Sequence, residues 1–296
     1  YDEVARELKQ YVQEAATKHR LLLSGEDLSE TGGNRLTIDE EFWHQIFQEI
    51  ESSPLDSYNL RVNAVSMQER QGSRALKNFN NLVKDVLIHW SVQQVSPRIP
   101  KALQLEVFDV ASGRGGDQLK FVKAAEMAQR RLCYNAMDIS EAQVLEAQKR
   151  LRQRMPHLST LDCARFFIGD VTLAPPKLPE GPLLPWQQVV SIEFALHYAF
   201  GSESSARSFL DHATRRLCAG GLLLITTVDA NEISKLAAKA REKQELCWEN
   251  GLLKISFESF EELERIADAD ERFGLRYRFN LAGEGIDCQE YVVPEK

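Results

Sequence analysis

From about residue 105 the chain alternates two hydrophobic rhythms. Leu105–Val110 is a short, β-rich apolar run, the glycine-rich segment Ala111–Gly116 follows, and Asp117–Arg130 then shows helical spacing through Leu119, Val122, Ala125 and Met127. The cycle repeats. Leu132–Met137 closes at Asp138 and leads into a helix from Ser140 to about Met155, with Ser140 as its N-cap and Pro156 beyond its stop. A third strand, Ala164–Ile168, closes at Gly169-Asp170; a proline-rich connection from Ala174 to Pro185 leads to a fourth, Gln188–Phe194. A helix through Ser204–Cys218 ends at Gly220-Gly221, just before a fifth strand, Leu222–Thr227. Strands separated by helices of this length predict parallel βαβ units with right-handed crossovers, hence an α/β, doubly wound, mostly parallel sheet. Beyond Thr227 come a charged helix, Glu232–Gln244, and two β-like runs, Leu252–Phe257 and Leu275–Leu281.

The amino-terminal part has another character. Tyr1–Leu23 reads as an amphipathic helix, Ser24–Asn34 as a polar loop, and Asp39–Ile50 as a second helix whose first turn carries Asp39, Glu40 and Glu41, as the helix dipole favours. Ser52–Asp56 is a turn. Asn78–Val92 is a further helix, joined to the sheet by Pro97–Pro100. No internal repeat is present.

Composition narrows the class. With 296 residues, 43% of them hydrophobic and 27% charged, the chain buries a sizeable core, which excludes a disordered or fibrous protein. The apolar runs fall short of the roughly 20 residues a bilayer crossing needs, so no membrane partner is expected. The first residue is Tyr1 and no charged-then-apolar leader follows, so no secretory signal is expected and the natural polypeptide is expected to begin earlier. Five scattered cysteines (Cys133, Cys163, Cys218, Cys247 and Cys288) predict neither a zinc site nor a disulfide framework, and a reducing compartment, nucleus or cytoplasm, fits them. No metal is expected. The net charge of −8 excludes a protein that coats long stretches of nucleic acid, but leaves room for a grip on a few nucleotides.

The carboxyl ends of parallel strands form the ligand edge of such a sheet, so the first strand's exit is the place to look. It reads Asp109-Val110-Ala111-Ser112-Gly113-Arg114-Gly115-Gly116-Asp117. A dinucleotide turn, G-x-G-x-x-G, fails because Gln118 stands where the third glycine belongs, and no phosphate-binding P-loop occurs. What remains is a small-residue loop for a nucleoside carrying an amino acid, with no phosphate to cradle. Acids then have work to do. Asp138 lies 22 positions beyond Gly116 (138 minus 116), near the offset of about 20 at which an acid accepts ribose hydroxyls. Asp170 closes the third strand, where a carboxylate can accept from an exocyclic amine, while Asp109 and Asp117 suit a cationic amino-acid end and Lys84 its carboxylate.

Asn78-Phe79-Asn80-Asn81-Leu82-Val83-Lys84-Asp85-Val86-Leu87-Ile88 resembles the FNNW-x-K-x-x-LI signature of the eukaryotic and viral mRNA cap (guanine-N7) methyltransferases. The turn Gly113-Arg114-Gly115-Gly116-Asp117, the segment Phe194-Ala195-Leu196-His197-Tyr198, the run Phe273–Leu281 and Gln289-Glu290-Tyr291-Val292-Val293 follow in that family's order, between about Tyr58 and Val293. The resemblance implies a class I, Rossmann-like methyltransferase fold that uses S-adenosylmethionine (SAM) and releases S-adenosylhomocysteine. It divides the chain into an amino-terminal, mostly helical extension or linker over residues 1–57 and a cap methyltransferase domain over 58–296. For the cofactor it implies Lys84, Ala111, Asp117, Asp138, Asp170 and Tyr198, to which the first strand's exit adds Asp109 and Gly113 and the fourth strand adds Glu193. For the cap it implies Asn80 and Asn81 beside the nucleotide, Arg114 and Arg150 toward the phosphates, and His197 and Glu290 at the guanine.

The implied reaction is methylation of guanine N7 at the capped 5′ end of mRNA. N7 already offers a lone pair, so no base is needed, no residue is assigned a catalytic proton transfer, and the enzyme's task is orientation. Glu290 accepts from the N1 and N2 donors of guanine, which adenine lacks, at a cost to the wrong base of about 1–3 kcal/mol. Alternatives are a small-molecule SAM methyltransferase and a non-catalytic SAM-fold subunit of an RNA-processing assembly.

The chain also departs from the family. Ala111 replaces a usual glycine, which is expected to be tolerated only at negative φ, and Glu193 replaces a common glutamine, adding negative charge near a sulfonium. The family's last helix and two strands, with a further aromatic cap contact, do not follow Val293. The sheet is therefore expected to have five strands and an edge covered by a longer polypeptide with other capping domains, by the amino-terminal extension or by an activating subunit.

Overall fold

The computed structural model describes residues 67–154, 158–172, 176–178, 181, 183–268, 273–281 and 286–294, so the helices expected before residue 51 and the extension over 1–57 lie outside the described residues. The chain forms two compact units, Tyr1–Val83 with Ala282–Glu284, and Lys84–Leu281 with Gly285–Lys296. Of the first, the described residues are the amino-terminal part of helix α1, Met67–Val95. That helix extends beyond the expected Asn78–Val92 at both ends.

The second unit is built on a parallel sheet. Its strands are β1 (Leu105–Val110), β2 (Leu132–Asp138), β3 (Leu161–Ile168), β4 (Gln187–Glu193) and β5 (Leu217–Thr226), in the order β3-β2-β1-β4-β5. All four pairings are parallel. The crossovers are carried by α2 (Gln118–Met127), α3 (Glu141–Arg154) and α4 (Glu203–Thr214). The order reverses between β1 and β4, which places the switch point at the exits of those two strands.

Both faces of the sheet are sealed by apolar packing. On one face Leu105, Val107 and Tyr134 pack with Phe121 of α2 and with Ile88 and Val92 of α1. On the other, Phe108, Val110 and Ile192 pack with Phe209 and Ala213 of α4. Burial of both faces explains why the strands read as near-continuous apolar runs and not as alternating ones.

Local signals end the elements where side chains can satisfy free backbone groups. Ser140 Oγ accepts from the Gln143 N–H at 3.4 Å at the start of α3, and Ser202 caps α4 by accepting from the Ser205 N–H at 3.1 Å. Gly220-Gly221, expected as a turn before β5, lies inside it. Leu217 already pairs with Gln187 and Leu222 with Val189, so the glycines form an irregularity in the ladder, with Gly220 at φ +76°. The strand therefore starts five residues earlier than its apolar run.

After β5 the chain builds a second layer. Helix α5 (Ala230–Lys243) begins at Asp229, whose Oδ1 accepts from the N–H groups of Asn231 and Glu232. Strands β6 (Cys247–Glu249), β7 (Leu253–Ser256), β8 (Arg276–Leu281) and β9 (Ile286–Tyr291), with helix α6 (Phe260–Asp268) between β7 and β8, form an antiparallel sheet in the order β6-β7-β8-β9. The two β-like runs expected after Thr227 are β7 and β8. This sheet shares a core with α5 and α6 through Ile233, Ala237, Leu263, Ile255 and Tyr277. The entry to β8 is tied to the parallel sheet's exits: the Gly274 N–H donates to Phe200 O at 2.9 Å, in the segment after β4.

One expectation is overturned. Cys133 and Cys163 are joined in a disulfide, with their Cα atoms 4.7 Å apart. They lie 30 residues apart in sequence but directly opposite in the β2–β3 register, which spacing along the chain conceals.

Candidate active site

The exits of β1 and β4 turn unusually sharply. Ala111 and Phe194, the residues that follow these strands, both adopt φ +55°, a left-handed conformation rare outside glycine. The expectation of negative φ at Ala111 is therefore wrong: the β1 exit demands the left-handed turn, and alanine accepts the steric cost. Past Ala111 the loop is open. A Cβ added at Gly113 or Gly116 would meet nothing within 4 Å, whereas one at Gly115 would meet Gln118 Nε2 at 2.0 Å. Ser112 Oγ is buried and without a hydrogen-bond partner among the described residues.

Asp138, at the end of β2, braces this loop. Its Oδ2 accepts from the Gly113 N–H at 2.8 Å and its Oδ1 from the Ser140 N–H at 2.9 Å. Asp170 holds its own turn, with Oδ1 accepting from the Thr172 N–H at 2.8 Å and the Thr172 hydroxyl at 2.7 Å. A carboxylate has about four acceptor sites, so each acid keeps capacity for a ligand donor.

A group of acids and lysines lies under the loop. Both oxygens of Asp117 are taken by ammonium groups, Lys84 at 2.8 Å and Lys120 at 2.7 Å. Burial opposes the Asp117 charge, but the two lysines outweigh it and hold the carboxyl below its usual range. Burial likewise opposes the Lys84 charge, and Asp117 with Glu193 and Asp109 reverses the balance, so its pKa is raised. Asp109 is 1% exposed and accepts the Tyr134 hydroxyl; burial first, then the neighbouring Asp117, pushes it up to about 8. Glu193 accepts from the Ser191 hydroxyl at 2.9 Å and the Thr226 hydroxyl at 2.5 Å, and burial raises it too. With Asp109 protonated below about pH 8, Lys84 and Lys120 are set against at most the carboxylates of Asp117 and Glu193, so the group carries no net negative charge.

The second group joins the short 3-10 turn after β4, Leu196–Ala199, to β9. His197 is 3% exposed, and neither ring nitrogen has a hydrogen-bond partner among the described residues. Its Nε2 lies 3.5 Å from Glu290 Oε1, and burial drives its pKa down to about 4, so the ring is neutral near pH 7. Glu290 Oε2 accepts the Tyr277 hydroxyl at 2.8 Å, and the Cys288 thiol meets Oε1 at 3.3 Å. Tyr198, expected with the cofactor residues, donates its hydroxyl to Cys288 Sγ at 3.6 Å, on the Glu290 side.

The structure thus gathers Lys84, Asp109, Asp117 and Glu193 in one group, and His197, Tyr198 and Glu290 in another. Arg114 donates to Gln143 Oε1 at 3.1 Å, and Arg150 pairs with Glu146 at 2.9 Å. A hydrogen bond from Arg150, with Lys149 and Arg114 adding charge, lowers the Glu146 pKa, so both arginines flank one face of α3. Asn80 and Asn81 lie on α1, four and three positions before Lys84. Tyr277, Cys288, Lys120 and Thr226 were missed by sequence reasoning. Tyr277 alone carried a signal, since it lies in the Phe273–Leu281 run that resembles the family, but its pairing with Glu290 shows only in the antiparallel register.

Comparison with known proteins gives the family. A family model described as the mRNA (guanine-N(7))-methyltransferase domain matches residues 44–296. The mRNA cap guanine-N(7) methyltransferase of Schizosaccharomyces pombe is 33% identical over 250 residues, covering 80% of this chain and 61% of that protein. That of Drosophila melanogaster is 32% identical over 236 residues (76% and 52%), and the mRNA cap guanine-N(7) methyltransferase 1 of Oryza sativa 30% over 249 (81% and 60%). The chain spans about three fifths of the length of the curated relatives it matches. The match to the family model takes in the glycine turn, the acid and lysine group and the Tyr277–Glu290 hairpin, and the chain belongs to the mRNA (guanine-N(7))-methyltransferase family.

Proposed function

We propose that the chain transfers a methyl group from SAM to N7 of the guanine at the capped 5′ end of mRNA, converting GpppN to its N7-methylated form and releasing S-adenosylhomocysteine. The carrying observation is a buried, neutral His197 whose ring nitrogens have no hydrogen-bond partner among the described residues, set beside Glu290 at the exit of the strand that also carries Glu193. A buried imidazole with no partner is costly unless a ligand completes it.

The residues also suit the cofactor. Open space over Gly113 and Gly116 lets a ligand approach the backbone, and Asp138 and Asp170 retain acceptor capacity for ribose and amine donors. When bound, SAM supplies an activated methyl group. The chain's residues have no proton to remove, because guanine N7 presents its lone pair directly, and their contribution is placement in line. Glu290 accepts from guanine N1–H and N2–H, while neutral His197 offers a donor or acceptor without adding positive charge. Methylation makes the purine cationic, so a carboxylate beside a neutral ring stabilises the charge as it develops.

Incubation with labelled SAM and GpppA, GTP or ATP tests this reading. Label is expected in GpppA and GTP and not in ATP, and Glu290→Gln is expected to lower kcat/KM for GpppA roughly 10–100-fold. Equal transfer to ATP, or full activity in both Glu290→Gln and His197→Ala, would refute it.

A further inference from the structure

The two oxygens of Glu290 have unequal surroundings. Oε2 accepts the Tyr277 hydroxyl at 2.8 Å, while Oε1 faces His197 Nε2 at 3.5 Å with the weak Cys288 donor at 3.3 Å. Tyr277 and Glu290 are directly opposed in the β8–β9 ladder, which puts both side chains on one face of the sheet. The tyrosine ring is itself immobilised. It is 2% exposed and packed among Ile255, Phe257, Leu263, Leu275 and Val292, so its hydroxyl has a fixed position at the polar end of an apolar core.

We propose that Tyr277 is a positioning residue for guanine recognition: its hydroxyl anchors Glu290 Oε2, fixing the carboxylate so that Oε1 is presented beside His197 to the purine. The inference rests on the proposed cap-methylating function and adds to it a residue that touches neither substrate nor cofactor. Without the anchor the carboxylate would be free to rotate about its side chain, and orienting it would cost entropy on every binding event.

The same bond bears on ionisation. Glu290 can read guanine N1–H and N2–H only as a carboxylate, and burial pushes its pKa up, against the lowering effect of the Tyr277 and Cys288 hydrogen bonds. The groups facing it are Tyr277 from β8, Cys288 from β9 and His197 and Tyr198 from the turn after β4; none carries charge near neutral pH. His197 is held neutral by its low pKa, burial pushes the Cys288 thiol up to about 11, and both tyrosine hydroxyls are raised. The Tyr277 hydroxyl is therefore a donor across the working range, and among these groups it is the strong one.

Steady-state kinetics with GpppA, together with direct calorimetric binding of GpppA and of S-adenosylhomocysteine, tests the assignment in wild type, Tyr277→Phe and Tyr277→Phe/Glu290→Gln. Tyr277→Phe is expected to raise KM and the GpppA dissociation constant roughly tenfold, leave kcat within about twofold, leave S-adenosylhomocysteine affinity unchanged, and move the acidic limb of kcat/KM to higher pH. Added to Glu290→Gln, the same substitution should no longer shift the acidic limb, because no carboxylate is left to titrate. Site-specific 3-fluorotyrosine at 277, a stronger donor of nearly the same shape, should move the acidic limb the other way, and it reads the bond even where the phenylalanine variant folds poorly. Unchanged GpppA binding and an unmoved acidic limb in Tyr277→Phe, or equal losses for GpppA and S-adenosylhomocysteine, would overturn the assignment while leaving the proposed function standing. A wild-type chain that neither binds nor methylates GpppA would overturn both.

Discussion

Asp109 shows how far a single residue's role depends on context invisible in its immediate sequence. As a strand-end acid it was expected beside a cationic ligand group, yet it is nearly solvent-free, hydrogen-bonded by Tyr134 from the neighbouring strand, and protonated up to about pH 8. The sign of the linkage is definite. A carboxyl whose pKa is raised on folding contributes stability that is fully present below its unfolded value of 3.8 and is lost as pH rises toward about 8. Asp109→Asn, which keeps an acceptor for Tyr134, should therefore remove part of the fall in stability across that window, on the order of 1–3 kcal/mol at the upper end. Thermal midpoints of the two proteins at pH 5 and pH 8 measure it; an undiminished fall in the asparagine variant would show that Asp109 is not the titrating group. The place of Asp138 at the end of β2, by contrast, was legible from the apolar run before it, because strand length and turn length fix where the second strand ends. The Cys133–Cys163 bond was not, since register joins residues that sequence separates.

At the level of elements, the five parallel strands and their helices were legible because buried strands and amphipathic helices differ in period. The errors fall where backbone geometry overrides pattern. Gly220-Gly221 reads as a turn but is absorbed into β5, and Ala111 reads as a residue needing negative φ but adopts +55°. The β1–α2 turn itself rests on one glycine more than on its neighbours. Gly115 is at φ +73° and a Cβ there would run into the buried Gln118, whose Nε2 donates to Ala147 O at 3.2 Å, whereas Gly113 faces open space. Gly115→Ala should accordingly cost about 2–4 kcal/mol and Gly113→Ala about 1–2, while Ala111→Gly should be neutral or stabilising by about 0.5–1 kcal/mol. Urea unfolding of the three variants checks the ranking; a Gly113→Ala cost equal to that of Gly115→Ala would mean that Gln118 yields freely. The hairpin of β8 and β9 was half legible: Glu290 came from the family resemblance, but its partner Tyr277 emerged only once the antiparallel register was known.

For the whole molecule, two polar groups of opposite character meet at the exits of one strand. The acid and lysine group lies at Glu193, where β4 ends, and the His197–Glu290 group begins four residues later, held in place by an antiparallel sheet that sequence pattern showed only as isolated β-like runs. The electrostatics divide accordingly: two lysines balanced by buried carboxyl groups under the glycine loop, a neutral imidazole and one anchored carboxylate in the second group. Crystallographic density for the chain soaked with S-adenosylhomocysteine and GpppA tests this arrangement most directly. The account predicts the ribose on Asp138, the adenine near Asp170, and the guanine against His197 with its N1 and N2 on Glu290 Oε1 and its N7 facing the cofactor sulfur. A guanine bound elsewhere, or a cofactor that leaves Asp138 and Asp170 untouched, would contradict it.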